Sequence, residues 1–302
     1  METGRMDYRA VIRSLPEGQR ARLTRRSDRR GLAHLAGHGG LIVLLGGLIA
    51  VRVPYWPLLL VPQGVLIVFL FTLLHETSHR TAFATPWLNK AVARVCGLFI
   101  LLPPEWFRYF HFAHHRHTQD PARDPELRAA KPTTVSGYVR HVSGLPVWRE
   151  QVLTVLRNAA GRCDDDFVPS SGRRAVRREA RVMLLLYGLI AAASLALGTV
   201  ALAYAWLLPA LLGQPFLRLY LMAEHGGCPH VENMFENSRT TFTNGLVRKI
   251  AWNMPYHAEH HAFPAVPFHQ LPSFHALARA HLRVTERGYA RFHRKYLADL
   301  AA

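Results

Sequence analysis

Three short strings of histidine carry most of the chemistry this sequence can offer: His75-Glu76-Thr77-Ser78-His79, His111-Phe112-Ala113-His114-His115 and His257-Ala258-Glu259-His260-His261. A further histidine, His225, stands in Ala223-Glu224-His225-Gly226. Of the 18 histidines, half lie in these four places, which is not how surface histidines scatter. On a helix, residues three or four apart share one face, about 5–6 Å from each other. Each string can therefore aim its imidazoles at one point. Neutral imidazole suits iron, copper, nickel and zinc. Nine imidazoles exceed the roughly four to six positions of one ion, so two metals sharing them is the natural arithmetic. A redox pair held by neutral donors is suited to binding oxygen and attacking an unactivated C–H bond.

Such a centre needs elements to hold it, and the apolar runs supply them. Hydrophobic residues make up 50% and charged residues 19%, an ordinary average whose distribution is uneven. Four tracts are expected to span a membrane, at about 35–53, 58–74, 182–200 and 202–221. A span needs about 20 apolar residues rising about 1.5 Å each to cross about 30 Å of hydrocarbon. The spans pair as two hairpins, one turning near residues 52–57 and the other interrupted by Gly198 and Pro209. A soluble helix of this length would carry a polar stripe, whereas residues 41–51 and 182–212 carry no charge. Between the hairpins, residues 88–102 are shorter and contain Lys90 and Arg94, which fits an interfacial helix. The expected fold is all-α and integral to the membrane, with an Arg-rich arm over residues 1–34 and one membrane domain over 35–302 that ends in a helical cap holding the metals.

The formal net charge is +17, from 37 Lys+Arg against 20 Asp+Glu. No zinc finger, RNA-recognition signature or basic heptad array accompanies this charge, so nucleic acid is not the expected partner. The arm, residues 103–180 and the C-terminal region hold nearly all the Arg, while the hairpin turns hold little beyond Arg52. With two hairpins these segments share one side, which the positive-inside rule makes the cytosol. Counting crossings places every histidine string on that side as well. The preference for Arg over Lys hints at a GC-rich bacterial genome, hence a bacterial inner membrane. Residues 5–30 are too charged for a secretory leader. Cys96, Cys163 and Cys228 have no CxxC spacing and leave one over, so they are expected to be reduced rather than a disulfide or thiolate framework.

The ordered pattern HxxxH, HxxHH, HxxHH resembles the membrane fatty acid desaturase family, and the surrounding residues extend the likeness. His115 is followed by Arg116-His117-Thr118 and then Asp124-Pro125, Asn253-Met254-Pro255-Tyr256 leads into the third string, and Ala262-Phe263-Pro264 follows it. The likeness covers about residues 35–285. It implies a di-iron centre with His75, His79, His111, His114, His115, His257, His260 and His261 as ligands. His225 resembles the extra histidine that the family places between its second and third boxes. The resemblance implies oxygen-dependent desaturation of a lipid acyl chain, with O2 as co-substrate. The first box followed by Arg80 and Phe83 is nearer to acyl-lipid desaturases of the methyl-end type, and a third box opening on His257 rather than Gln departs from front-end enzymes.

Other readings remain open at this point. The same centre could hydroxylate or ketolate a carotenoid, alkane or other lipid chain. His75-Glu76-Thr77-Ser78-His79 is also a literal HExxH, the motif of zinc proteases, but that reading leaves six clustered histidines unused. A non-catalytic metal-binding membrane protein would keep the boxes and consume no oxygen. Glu76 and Glu259 are expected to accept an N–H from a ligating imidazole. His117 has the wrong spacing for a ligand. His34, His38, His141, His230, His269, His275, His281 and His293 share no usable pattern and are expected to be solvated or satisfied locally, and Asp164-Asp165-Asp166 to be a solvated run. Neither a dinucleotide fingerprint nor a fused cytochrome b5 motif is present, so electrons are expected from a separate ferredoxin or cytochrome with its reductase.

Overall fold

The computed structural model describes residues 4–301. The described residues are mostly helical, and the one sheet among them has two short parallel strands, Thr240–Phe242 and Thr285–Arg287, with Thr240 opposite Thr285. Three helical stretches are long and apolar enough to cross a membrane: Glu17–Ala50, Trp56–Ser78 and Ser170–Ala196. The first and third bury little of their apolar surface within the protein, and Val43, Leu44, Leu185, Leu189 and Leu195 point outward. Outward leucines on a long helix need an apolar solvent to face.

The helices begin and end where local chemistry dictates, which moves the boundaries expected from hydropathy. Ser27 caps helix Asp28–Ala50 by accepting the Arg30 N–H at 3.3 Å, so this helix starts before residue 35. It stops at a turn in which Arg52 and Tyr55 adopt left-handed backbone, φ 53° and 63°. The second stretch runs through Leu60–Val68 and Leu70–Ser78 and so carries the whole first histidine string up to Ser78, past the expected limit at 74. The helix Ser170–Ala196 starts well before residue 182 because its first turns are Arg-rich. It ends at Gly198, φ 57°.

The fourth expected span is realised differently. A π-turn over Ala203–Leu207 leads into helix Leu208–His225, which is not among the three long apolar helices. Pro209 has no N–H to give the carbonyl of Ala205, and the buried amide of Gln63 donates to that oxygen instead, at 3.0 Å, and to Ile42 O at 3.2 Å. The same two helices touch backbone to backbone. A Cβ on Gly64 would fall 2.0 Å from Pro209 O, and one on Gly213 would fall 2.3 Å from Gly64 C. Small residues are what allow such contact in an apolar medium. Between the hairpins lies helix Pro86–Phe99, where the interfacial helix was expected, followed by Pro104–His117, Val135–Val142 and Leu145–Ala159.

The segments after helix Leu208–His225 are tied to the apolar helices by buried polar bonds. His38 donates from Nε2 to Leu66 O at 2.8 Å and accepts at Nδ1 from the Trp252 indole at 3.1 Å. These two bonds link the first span, the second span and the approach to the third histidine string. His293 likewise bonds Leu219 O at 2.8 Å and the Tyr138 hydroxyl at 3.0 Å. These histidines were expected to be solvated or satisfied locally. Their partners instead lie far along the sequence, a distance no local pattern records.

Candidate metal centre

Each histidine string lies on a helix, and each is positioned by a different local device. His75 lies in helix Leu70–Ser78 and His79 is its C-terminal cap, after which Arg80 turns left-handed at φ 58°. His111, His114 and His115 project from the last turns of Pro104–His117. The third string is the six-residue helix His257–Ala262, too short to be stable alone. It is aimed by the residues before it. Trp252 and Asn253 both adopt left-handed backbone, φ 51° and 59°, at a cost that the full burial of Trp252 and its bond to His38 help offset. His225 ends helix Leu208–His225.

The structure brings all nine expected histidines together, in two adjoining groups. Donor atoms of His75, His79, His111, His115 and His260 lie within 4.8 Å of one another, and so do those of His114, His225 and His261. His257 joins the second group, its Nε2 lying 2.9 Å from His225 Nε2. The groups meet where the rings of His115 and His261 stack at 4.1 Å. His117 belongs to neither group.

Second partners fix which nitrogen faces inward. The Asp124 carboxylate lies 2.9 and 3.1 Å from His114 Nδ1, and the carbonyl of Asn237 lies 3.1 Å from His225 Nδ1. Both partners only accept, so each Nδ1 donates and each Nε2 is the nitrogen left facing inward. Thr118 gives its proton to His114 O at 2.8 Å and so accepts from His261 Nδ1 at 3.2 Å. Glu224 stands 3.2 Å from His257 Nδ1. In the five-histidine group, both ring nitrogens of His75 and His260 and Nε2 of His115 are buried with no partner. Each neutral ring has one N–H and one lone pair, and a bound cation would satisfy the buried lone pairs left without partners. The set fits a pair of metal ions of the class that takes imidazole.

Protonation is consistent with that fit. Burial pushes His79 down to about 3, aided by the charge of Arg108, and it holds His111, His115, His257, His260 and His261 well below their usual range. They are therefore neutral, as ligands must be. His114 is the exception: burial lowers it, but Glu126 and Asp124 more than offset this and leave it raised.

Two expectations about carboxylates need correction. Glu76 accepts the Phe268 N–H at 2.8 Å, so it braces the loop after the third string and takes no imidazole there. Glu259 accepts from Thr240 at 2.5 Å and from His275, a histidine outside the boxes. The carboxylates that do reach clustered imidazoles are Asp124, Glu126 and Glu224. The Asp124-Pro125 pair was visible in the sequence, but its contact with His114 was not. The acidic run is largely exposed as expected, with Asp166 in a surface pair with Arg128, and only Asp165 is engaged inward, accepting the Trp106 indole at 2.7 Å.

The family described as Fatty acid desaturase matches residues 50–295. The chain is 25% identical over 243 residues to the omega-6 fatty acid desaturase, endoplasmic reticulum, of Brassica juncea, covering 70% of this chain and 63% of that one. It is 24% identical over 241 residues to the delta(12)-fatty-acid desaturase of Arabidopsis thaliana, with the same coverage of 70% and 63%. Identity rises to 30% over 216 residues with the sphingolipid delta(4)-desaturase of Drosophila melanogaster, covering 68% of this chain and 60% of that one. The chain thus spans less than two thirds of the length of these relatives. The histidine pattern, the helices that carry it and the extent of the family match lead to one conclusion: the chain belongs to the fatty acid desaturase family.

Proposed function

We propose that this protein is a membrane oxidoreductase that desaturates the acyl chain of a lipid, using O2 at a pair of iron ions. The observation that carries the reading is the convergence of nine histidines, seven of them buried and two half-buried, at one end of a set of apolar helices. His75, His79, His111, His115 and His260 would hold one iron, and His114, His225, His257 and His261 the other. Bound iron supplies the capacity to reduce O2 and to take hydrogen from an unactivated methylene. The protein's own residues do the rest. Phe107 stacks on His111 at 5.3 Å and Phe71 lies 6.4 Å from His75, so the five-histidine group has an apolar wall against which a chain can lie. Arg80, Lys90, Arg94 and Arg108 line a cleft that also reaches Thr77 and Ser78 of the first string, where a polar lipid head would rest. Placement of the chain relative to the centre decides which bond is attacked.

Topology follows the same reading. Helix Leu208–His225 crosses as a fourth span, with its Arg218 and Glu224 near the histidine end, so both termini and all the histidines lie on the cytosolic side of a bacterial inner membrane. The reaction converts a CH2–CH2 unit to an alkene and O2 to two waters, and requires two electrons and two protons from outside. A separate ferredoxin or cytochrome with its reductase supplies the electrons, docking through opposite charge on the basic face. Raising the salt concentration should then slow reduction.

The test is the lipid profile of cells expressing the wild type or His261→Ala with a compatible electron donor, together with the metal content of both proteins. A lipid lacking two hydrogens, present with the wild type and absent with the variant, supports desaturation. A product gaining one oxygen moves the reading to hydroxylation, and one bound zinc with peptide cleavage replaces it by the zinc-protease reading.

A further inference from the structure

Two carboxylates, two residues apart, approach the two nitrogens of one imidazole. Asp124 takes His114 Nδ1 at 2.9 Å and is otherwise occupied by the backbone N–H groups of Gln119 and Glu126, each at 2.9 Å. The turn at Pro125 then brings Glu126 round to the other side of the ring, with its Oε2 3.5 Å from His114 Nε2. That nitrogen lies 3.2 Å from His225 Nε2, on the face where the four-histidine group converges. With Nδ1 donating to Asp124, Nε2 is the nitrogen left facing the Glu126 oxygen, and it offers a lone pair only where a metal takes the place of its proton. Two such atoms sit together only with a cation between or beside them, a proton in the bare chain and a metal when one is bound. Donors about 2.0–2.2 Å from one ion lie about 3.0 Å apart in an octahedron and about 3.4–3.5 Å apart in a tetrahedron. Glu126 Oε2 and His225 Nε2, at 3.5 and 3.2 Å from His114 Nε2, both stand from it at distances in this range.

We infer that Glu126 is an oxygen ligand of the metal held by His114, His225, His257 and His261. It would give one ion an anionic donor that the five-histidine group lacks. The inference rests on the metal-centre reading above. Imidazole and carboxylate together are a donor set for non-haem iron. The second Glu126 oxygen bonds Lys131 Nζ at 2.8 Å, which aims the carboxylate and leaves Oε2 toward the ring. The consequence is asymmetry: the ion beside Glu126 is the better stabilised in its higher charge state, while the other sees only neutral nitrogen.

The experiment loads the full chain in detergent with iron(II) and measures iron per chain, the Mössbauer spectrum and the oxygen share of the X-ray absorption shell. Wild type, Glu126→Ala, Glu126→Gln and Lys131→Met are compared, with helical circular dichroism as a check on folding. The expected result is two inequivalent irons in the wild type. In Glu126→Ala one site should weaken about 10- to 100-fold and the oxygen share should fall. Glu126→Gln, which keeps an oxygen and the shape, should alter the same one of the two spectral components, and it serves if the alanine variant does not fold. Lys131→Met should retain both irons. Both irons bound in Glu126→Gln with spectra unchanged from the wild type would overturn the inference and leave the metal centre standing. Lys131→Met reproducing the alanine loss would also overturn it, because Glu126 would then act only through its ion pair. A wild type that binds no iron would remove the centre itself, and the inference with it.

Discussion

The two histidine groups touch, yet their surroundings differ. The five-histidine group is backed by Phe71 and Phe107, and most of its free nitrogens have no second partner. In the other group three of the four rings are braced by hydrogen bonds, to Asp124, the Asn237 carbonyl and Thr118, while Glu224 stands beside His257. The first is therefore held by packing and the second by hydrogen bonds. An apolar wall offers a substrate chain a place without competing for the metal. A polar brace fixes tautomer and angle, which keeps an ion in place while its charge changes.

The largest effect should come from removing a ring from each side. His75→Ala and His225→Ala should both abolish product formation, because a two-metal reaction fails with one metal. They should differ in metal content, each losing the ion on its own side and retaining the other. Loss of both ions from both variants would mean that the groups form one cooperative site, which metal analysis of the purified proteins would reveal.

A smaller effect is expected at the brace. Asp124→Asn should weaken metal binding about 10- to 100-fold, because an amide no longer enforces a donating Nδ1 on His114. The loss should be confined to the four-histidine side, as measured by competition with a chelator. An equal loss on both sides would break the distinction drawn here.

The smallest effect concerns pH. Burial pushes His79 to about 3 and, outside the centre, His141 and His269 to about 4, against an ordinary value of 6.5. As pH falls from 6.5 toward 3 the unfolded chain takes up these protons and the folded one does not, so metal-free protein should lose stability across that window. His114, being raised, works in the opposite sense. The thermal midpoint in detergent should fall steadily below pH 6.5, and a midpoint independent of pH would show that these rings are not buried neutral.

The histidine strings, their helical spacing and three of the apolar helices were legible because each is a local pattern of 3.6-residue periodicity or of length. Boundaries were less so. Caps such as Ser27 and the Arg-rich start of helix Ser170–Ala196 extend helices past what hydropathy marks. The fourth apolar tract became a π-turn and a helix because Pro209 left a carbonyl for Gln63, a residue 146 positions earlier in the sequence.

The sequence by itself determined which residues could hold metal and that nine imidazoles exceed the positions of one ion. Only the tertiary structure decided how they divide, since His115 and His114 are neighbours in one string yet face different groups. It also decided which acids matter. Glu76 and Glu259 lie inside the strings and bond elsewhere, whereas Asp124, Glu126 and Glu224 come to the rings from outside. The reason is geometric. Adjacent residues on a helix point about 100° apart, so nearness in sequence does not place a side chain on a neighbour's nitrogen. Folding of distant segments onto one point does.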